Sequence, residues 1–278
     1  LDINNEKDHG CMKNVFYPVI LMAATNPKLV FIVPYRDREQ QRQFYARHME
    51  YILSDYAPGE VAIYFVHQRD ERSFNRGAIK NIGFIAMREK YPATYQTMTF
   101  VFNDVDTMPL TKGFLNYETT PGIVKHFYGF EYTLGGIVSI QGADFERING
   151  FPNFWTWGYE DNLLQKRVLQ ASPALQIDRS QFYPFMDKNI MQLNAGIERA
   201  VNRKEFDRYI QQTLEGIQSI AALRYTIEGD FVQVDGFETG VVEDQAATWN
   251  FDLRKGNLPF GNGKAKPMPV RLGMAWTR

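Results

Sequence analysis

Between Leu29 and Phe102, short apolar runs alternate with segments of helical period, and that alternation limits the folds open to this chain. Leu29–Val33 is a β-branched and aromatic run closed by Pro34, and Val61–Val66 and Thr97–Phe102 are two more of the same kind. Between them, Glu39–Leu53 carries Phe44, His48, Tyr51 and Ile52 at helical spacing, while Gly77–Met87 carries Ile79, Ile82, Gly83 and Ala86 along one side. Compact apolar strands separated by helices are the pattern of a parallel sheet with crossover helices. The expected fold is α/β: a Rossmann-like, mostly parallel twisted sheet flanked by helices.

The second half is less regular. Gly135–Ile140 reads as a strand and Ala143–Ile148 as a short helix. Asp161–Gln170 reads as a helix with Leu163, Leu164 and Val168 inward, Lys204–Leu223 as a longer helix, and Tyr225–Val234 as an alternating strand. The Gly-, Asn-, Lys- and Pro-rich stretch Lys255–Pro269 reads as loop. With no internal repeat and no linker, 278 residues fit one large domain. It is expected over residues 29–235, after a lead-in of residues 1–28 with one short element and before an extension of residues 236–278 packed on it.

Hydrophobic residues make up 44% of the chain and aromatic residues 14%, enough to bury a full core and to exclude disorder for most of its length. A formal charge of -1, from 31 basic and 32 acidic residues, provides no electrostatic case for nucleic acid or an acidic membrane surface as partner. Cys11 is the single cysteine, so no intrachain disulfide forms. That usage favours a reducing, cytoplasmic setting over the secretory pathway, or a fold that needs no cross-link. No segment approaches the ~20 apolar residues of a membrane span. Val15–Ala24 is short and carries Tyr17 and Pro18, and since numbering begins at Leu1, an anchor further upstream stays compatible with the sequence.

The chemistry begins at Val101-Phe102-Asn103-Asp104-Val105-Asp106, where a buried strand ends in Asp-x-Asp. The carboxyl ends of strands are where open α/β sheets bind ligands. Paired carboxylates suit Mg²⁺ or Mn²⁺, which share their coordination with substrate phosphates. The bland alternative is a solvated turn or a helix cap. After the first strand, Pro34-Tyr35-Arg36-Asp37-Arg38 offers a ring for stacking and two guanidinium groups for phosphate, or simply a helix start. Phe74-Asn75-Arg76 repeats that combination before the second helix, where Asn75 also reads as an N-cap.

Gly135-Gly136 permits close approach of a ligand to the backbone, or marks a bulge. Trp155-Thr156-Trp157-Gly158-Tyr159-Glu160-Asp161 sets two indoles before two carboxylates that open a helix. Indole faces pack on sugar rings, and a carboxylate beside a sugar hydroxyl can act as general base. A buried aromatic loop whose acids serve the helix dipole is the competing account.

Taken together with Asn149-Gly150-Phe151-Pro152-Asn153, these motifs stand in the order and spacing of the β-1,4-galactosyltransferase family, glycosyltransferase family 7 with the GT-A fold. The resemblance runs from about Leu29 to about Val234. It implies inverting transfer of a sugar, galactose or a relative, from a UDP-sugar to a hydroxyl of an acceptor glycan. It also implies that Pro34, Tyr35, Arg36, Arg38, Phe74 and Arg76 contact uridine diphosphate, with Val105 and Gly136 in the same site. Asp106 is implied to hold Mn²⁺ (or Mg²⁺), with Asp104 beside the donor sugar and ribose. Trp157 matches a tryptophan on a closing loop, so that Asn153–Tyr159 is expected to order on donor binding. Asp161 matches the catalytic base and Glu160 a carboxylate that positions sugar hydroxyls. Arg76, with Lys125 or His126, would offset charge on the departing diphosphate.

Several positions depart from that pattern. The family completes its metal site with a histidine, whereas His9, His48, His67 and His126 all lie elsewhere. Met186, Asp187 and Asn189 are the expected substitutes, with Met191 and Asn194 as a second option; an oxygen-rich set would hold Mg²⁺ or Mn²⁺ more loosely than imidazole. Asn162 stands where the family has an aspartate for an N-acetylated acceptor, and Thr133, with Tyr132 before it, where a tyrosine restricts the donor. Two other functions compete: a carbohydrate- or UDP-binding protein on a lapsed scaffold, and a sugar nucleotidyltransferase, whose Gly-rich loop Pro34–Arg38 lacks.

Overall fold

The computed structural model describes residues 26–193, 196–256 and 259–260. The elements, in chain order, begin with β1 (Leu29–Tyr35), α1 (Glu39–Ile52), β2 (Val61–Gln68), α2 (Arg76–Lys90) and β3 (Thr99–Asn103). There follow β4 (Thr107–Pro109), β5 (Ile123–Gly129), β6 (Ile137–Gln141), α3 (Gly142–Arg147) and α4 (Glu160–Leu169). The last group comprises β7 (Gln176–Asp178), β8 (Tyr183–Pro184), β9 (Ile190–Gln192), β10 (Glu198–Asn202), α5 (Arg203–Ile210), β11 (Ala221–Glu228), β12 (Phe231–Glu238) and β13 (Thr248–Asp252).

The main sheet runs β11-β12-β2-β1-β3-β6-β5-β7, with β8 also paired to β5. Its β12–β2, β2–β1, β1–β3 and β5–β7 pairings are parallel; β11–β12, β3–β6 and β6–β5 are antiparallel. The alternation predicted the strand-helix order of this sheet and the resemblance its GT-A arrangement, a mixed sheet with helices on its flanks in one domain. Strand β1 is buried along its whole length, with Val30 and Ile32 in one core layer and Leu29, Phe31 and Val33 in the other. A strand covered on both faces must read as a continuous apolar run, which is why it stood out. On α1 the buried residues are Tyr45, Met49 and Ile52, while Phe44 and Tyr51 are exposed, so the inward stripe is one position off the expected one.

Helix α2 is the structural centre. Gly77 through Met87 are all buried, including the polar Lys80 and Asn81, so this helix is not simply amphipathic. It lies close on β1 and β2 because Gly83 has no side chain: a methyl there would overlap Ile32 and Val66. Asn75 caps it, its side chain accepting from the Ala78 amide at 2.9 Å and donating to the Asn153 carbonyl at 3.1 Å. Asn81 donates to the Phe151 carbonyl at 2.8 Å and accepts from the Phe151 amide at 2.9 Å. Buried amides must be satisfied, so this network fixes the Asn149–Asn153 segment against α2 and, through it, the start of α4.

Three expectations need correction. The helix expected over Lys204–Leu223 ends at Ile210; Gln212 adopts φ 54°, and from Ala221 the chain is strand β11. The alternation read as one strand over Tyr225–Val234 belongs to a hairpin, with Glu228 opposite Phe231 across Gly229-Asp230, and Gly229 at φ 61° makes the turn. Strand β12 continues to Glu238, past residue 235. Strand β5 was not anticipated. Residues 1–25 of the lead-in, Cys11 among them, and most of Lys255–Pro269 lie outside the described residues.

Candidate active site

Two cavities open side by side at the carboxyl ends of β1, β2 and β3, where a parallel sheet presents loops and helix N-termini. The first, about 220 Å³, is lined by Pro34, Arg36 and Arg38 after β1, Phe74 and Arg76 before and on α2, and Asp104, Val105 and Asp106 after β3. The second, about 270 Å³, holds Glu160, Asp161, Gly135 and Gly136 together with the rings of Tyr128, Phe130, Tyr132, Tyr159 and Phe185. Arg76, Asp104, Asp106, Trp157 and Arg199 line both. The segments singled out after β1, before α2, after β3, at Gly135-Gly136 and before α4 therefore converge.

Their side chains do different work. Arg36 spends its guanidinium on the Gln68, Asp70 and Arg72 carbonyls, shaping the loop that carries Phe74. Tyr35 points to the opposite face of β1; its ring packs edge-on against His67 at 4.9 Å and its hydroxyl donates to Glu39 at 2.8 Å. Its side chain therefore lines neither cavity, because neighbouring positions on a strand face opposite ways. Phe74 lines the first cavity, and Asn75 caps the helix as its residue type suggested.

At the junction Arg76 pairs with Asp104, Nη2 to Oδ1, at 2.6 Å and lies 3.2 Å, Nε to Oε1, from Glu160. Burial opposes ionisation of Asp104, but the charges of Arg76 and Lys80 outweigh it and hold this carboxyl below its ordinary value. Glu160 is 3% exposed, and its Oε2 has no hydrogen-bond partner among the described residues. Burial, with the charge of Asp161 adding to it, pushes the Glu160 carboxyl up. Asp161 accepts from Lys80 Nζ at 3.0 Å through Oδ1, and its carbonyl accepts from the Leu134 amide at 3.0 Å. A methyl on Gly135 would overlap Asp161 Oδ2, and Gly136 needs φ 70° while its carbonyl accepts from the Asp104 amide at 3.1 Å. The glycine pair thus makes room for one carboxylate and helps seat another.

Asp106 accepts from Thr107 Oγ1 at 3.0 Å and, among the described residues, has no cationic side chain within ion-pair distance. Burial and the neighbouring Asp104 charge raise its carboxyl above the ordinary range. A mostly buried carboxylate without a counter-ion suits a divalent cation completed by a ligand's phosphates. Among the described residues no three His, Cys, Asp or Glu side chains cluster as a metal cage.

The expected partners of that cation are elsewhere. Met186 is 73% exposed with φ 69°, and Asp187 folds back onto Asn189, accepting from its amide at 2.8 Å; none of the three lines either cavity. The antiparallel β4–β9 register instead sets Gln192 opposite Thr107, and the Leu193 amide donates to the Asp106 carbonyl at 2.7 Å. Met191, opposite Met108, packs in the core; Asn194 lies outside the described residues. His126 and Lys125 also fall away from the cavities. His126 is buried in the wall behind Gly135, its Nε2 3.0 Å from the Tyr128 carbonyl and 3.2 Å from that of Gly135, and Lys125 donates to the Asn116 carbonyl at 3.1 Å. Trp155 is core: it stacks on Phe237 at 5.5 Å and its indole donates to the Val241 carbonyl. Asn153 to Thr156 are all buried, leaving Trp157, Gly158 and Tyr159 as the half-buried part of that segment.

Arg199 and Lys80 were not anticipated. Arg199 lies on the short strand β10, and no periodic signal marks its approach to Asp104 and Asp106. Burial and the charges of Arg76 and Arg38 press its guanidinium below the ordinary value. Lys80, a cation within the buried run of α2, could have been noticed as out of place on an inward face.

Residues 13–117 match a family described as the N-terminal region of glycosyl transferase group 7, and residues 124–188 one described as the N-terminal domain of galactosyltransferase. β-1,4-Galactosyltransferase 2 of Cricetulus griseus is 33% identical over 149 residues, 49% of this chain and 38% of its own length. Xylosylprotein 4-β-galactosyltransferase of Caenorhabditis elegans is 29% identical over 153 residues, 52% of this chain and 51% of its own. The matches thus span about half or less of these curated relatives. The catalytic domain of Drosophila β-1,4-galactosyltransferase 7, solved with xylobiose, superposes with a TM-score of 0.58 at 18% identity, covering 76% of this chain and 93% of that one. A mutant of the same enzyme, solved with manganese, UDP-Gal and xylobiose, gives 0.55. These relatives are lumenal enzymes of the secretory pathway, which overturns the cytoplasmic setting expected from cysteine usage. The cysteine count therefore carries no signal of compartment for this chain.

Proposed function

This chain belongs to glycosyl transferase group 7, and on that footing we propose that it is an inverting, metal-dependent glycosyltransferase. It moves galactose or a related sugar from a UDP-sugar to a hydroxyl of an acceptor glycan. The observation that carries this reading is the meeting of two cavities at Arg76, Asp104, Asp106 and Trp157: one lined by four arginines, the other aromatic with a carboxylate pair. The solved relative bound to xylobiose and, as a mutant, to manganese, UDP-Gal and xylobiose supports a fold that takes a donor and an acceptor.

In this account Pro34, Val105 and Phe74 flank the nucleoside, and Arg38, Arg76 and Arg199 face the diphosphate. Asp106 would hold Mn²⁺ or Mg²⁺, which when bound neutralises the charge growing on the leaving diphosphate. Glu160, whose Oε2 has no partner among the described residues, accepts from a sugar hydroxyl. Trp157 stands between the two cavities, where it can cover the donor sugar, and the half-buried stretch Trp157–Tyr159 is the part that orders with donor bound. Asp161 takes the proton of the acceptor hydroxyl as that oxygen attacks the anomeric carbon from the face opposite UDP. Phe130 and Phe185 stack at 5.3 Å and provide an apolar face for a pyranose ring.

The test is UDP release from a panel of UDP-sugars with Mn²⁺, with Mg²⁺ and with chelator. Metal-stimulated release from one donor supports the proposal. Metal-dependent UDP binding without release from any donor would favour a binding protein on this scaffold, and no UDP binding at all would sink the assignment.

A further inference from the structure

We propose that Lys80 is a positioning residue for Asp161, holding one carboxylate oxygen so that the other faces the acceptor; this rests on Asp161 being the base. Lys80 is 2% exposed, deep in α2, with the Phe151 ring 4.5 Å from its ammonium. A buried ammonium persists where it is paired, and its partner is Asp161 Oδ1 at 3.0 Å. Lys80 lies one helical turn beyond Arg76, so both cations leave the same face of α2. They divide the carboxylates between them: Arg76 meets Asp104 and Glu160, and Lys80 meets Asp161.

The opposite side of Asp161 is fixed as well. Its Oδ2 lies against Gly135, where a side chain would overlap it, and its carbonyl accepts from Leu134. With Oδ1 held by Lys80, Oδ2 lies beside the Gly135 backbone in the cavity that Asp161 and Gly135 both line. A base held in the attack geometry avoids the entropic cost of finding it.

The charged groups facing Asp161 are Arg76 and Lys80 from α2 and Glu160 from its own helix, with Asp104 close enough to feel Lys80. The adjoining Leu134 and Gly135 carry no charge. Without Lys80, two other carboxylates would share one α2 cation, Arg76, with Asp161, and like charges favour the protonated form.

The test is the pH dependence of kcat for UDP-sugar turnover in Lys80→Met, with UDP affinity and Tm measured alongside. We expect kcat near neutrality to fall at least about tenfold, and its acid limb to move up by about one pH unit, while UDP affinity stays within about threefold. Lys80→Arg, which keeps the charge, should recover part of the rate. If the methionine variant does not fold, Lys80→Gln is measured in its place and should show the same displaced limb. A folded variant with the parent pH profile, or one slowed equally at every pH, would overturn the proposal. Asp161→Asn is assayed in parallel. Near-normal turnover there removes the base assignment itself, whereas lost turnover there with an unaltered Lys80→Met profile removes only the role of Lys80.

Discussion

Arg76 neutralises Asp104 at 2.6 Å and thereby leaves Asp106, two residues on, as the carboxylate of the pair without a cationic partner among the described residues. The two acids of one short motif therefore have different electrostatics. Asp106 is the one whose charge is left uncompensated, and Asp104 is fixed in place by an arginine.

From that difference, Asp106→Asn should weaken UDP binding in Mn²⁺ strongly. Losing one partner of a desolvated charge pair costs roughly 2–5 kcal/mol, so a fall in affinity of about 30-fold or more is expected. UDP affinity without metal should hardly change. Calorimetry with and without Mn²⁺ checks both, and equal affinity of parent and variant in Mn²⁺ would remove Asp106 from the metal site.

A second prediction concerns Gly135. Its backbone faces Asp161 with no room for a methyl group, so Gly135→Ala must push the carboxylate aside. Turnover should drop by about tenfold to a hundredfold, in keeping with the sensitivity of rates to a displacement of about 1 Å, while UDP affinity is kept. Steady-state kinetics beside UDP titration separates the two effects. A variant with parental kcat would show that the position of Asp161 is not critical.

His126 supplies a pH dependence of stability rather than of chemistry. Burial first, and then the nearby Arg179 charge, pushes the imidazole down to about 4. The unfolded chain, titrating near 6.5, binds the proton more readily, so stability is full above about 6.5 and is lost as pH falls from there towards 4. The contribution is up to about 3 kcal/mol. Urea unfolding at pH 7 and pH 5 should show a smaller loss for His126→Phe than for the parent. Equal losses would mean that other groups set the acid sensitivity.

The parts legible in the sequence were those built from contiguous residues. Leu29–Val33 and Thr97–Phe102 are strands buried on both faces, and the polar motifs at their ends emerge at one rim because parallel strands end together. The second half was less legible because its geometry depends on pairing between distant short strands. Met186, Asp187 and Asn189 looked close to Asp106 by order along the chain, but the β4–β9 register brings Gln192 and Leu193 there instead, and register cannot be read from one short strand alone. Lys125 and His126 looked like phosphate ligands until β5 placed them behind and away from the cavities. Arg199 gave no signal because a three- to five-residue strand carries too little periodicity. The Lys204–Leu223 helix failed for a similar reason: Ala221 to Leu223 fit a helix by propensity, and strand pairing with β12 prevailed.

The most direct test of the account is the turnover of Asp161→Asn at saturating UDP-sugar and Mn²⁺, measured with its UDP affinity and compared with Glu160→Gln. With Asp161 as general base, turnover falls by at least ~10²-fold while UDP affinity stays within a few-fold, and Glu160→Gln chiefly raises KM. Near-normal turnover of the Asp161→Asn enzyme would contradict the account, since the acceptor proton would then be leaving by another group.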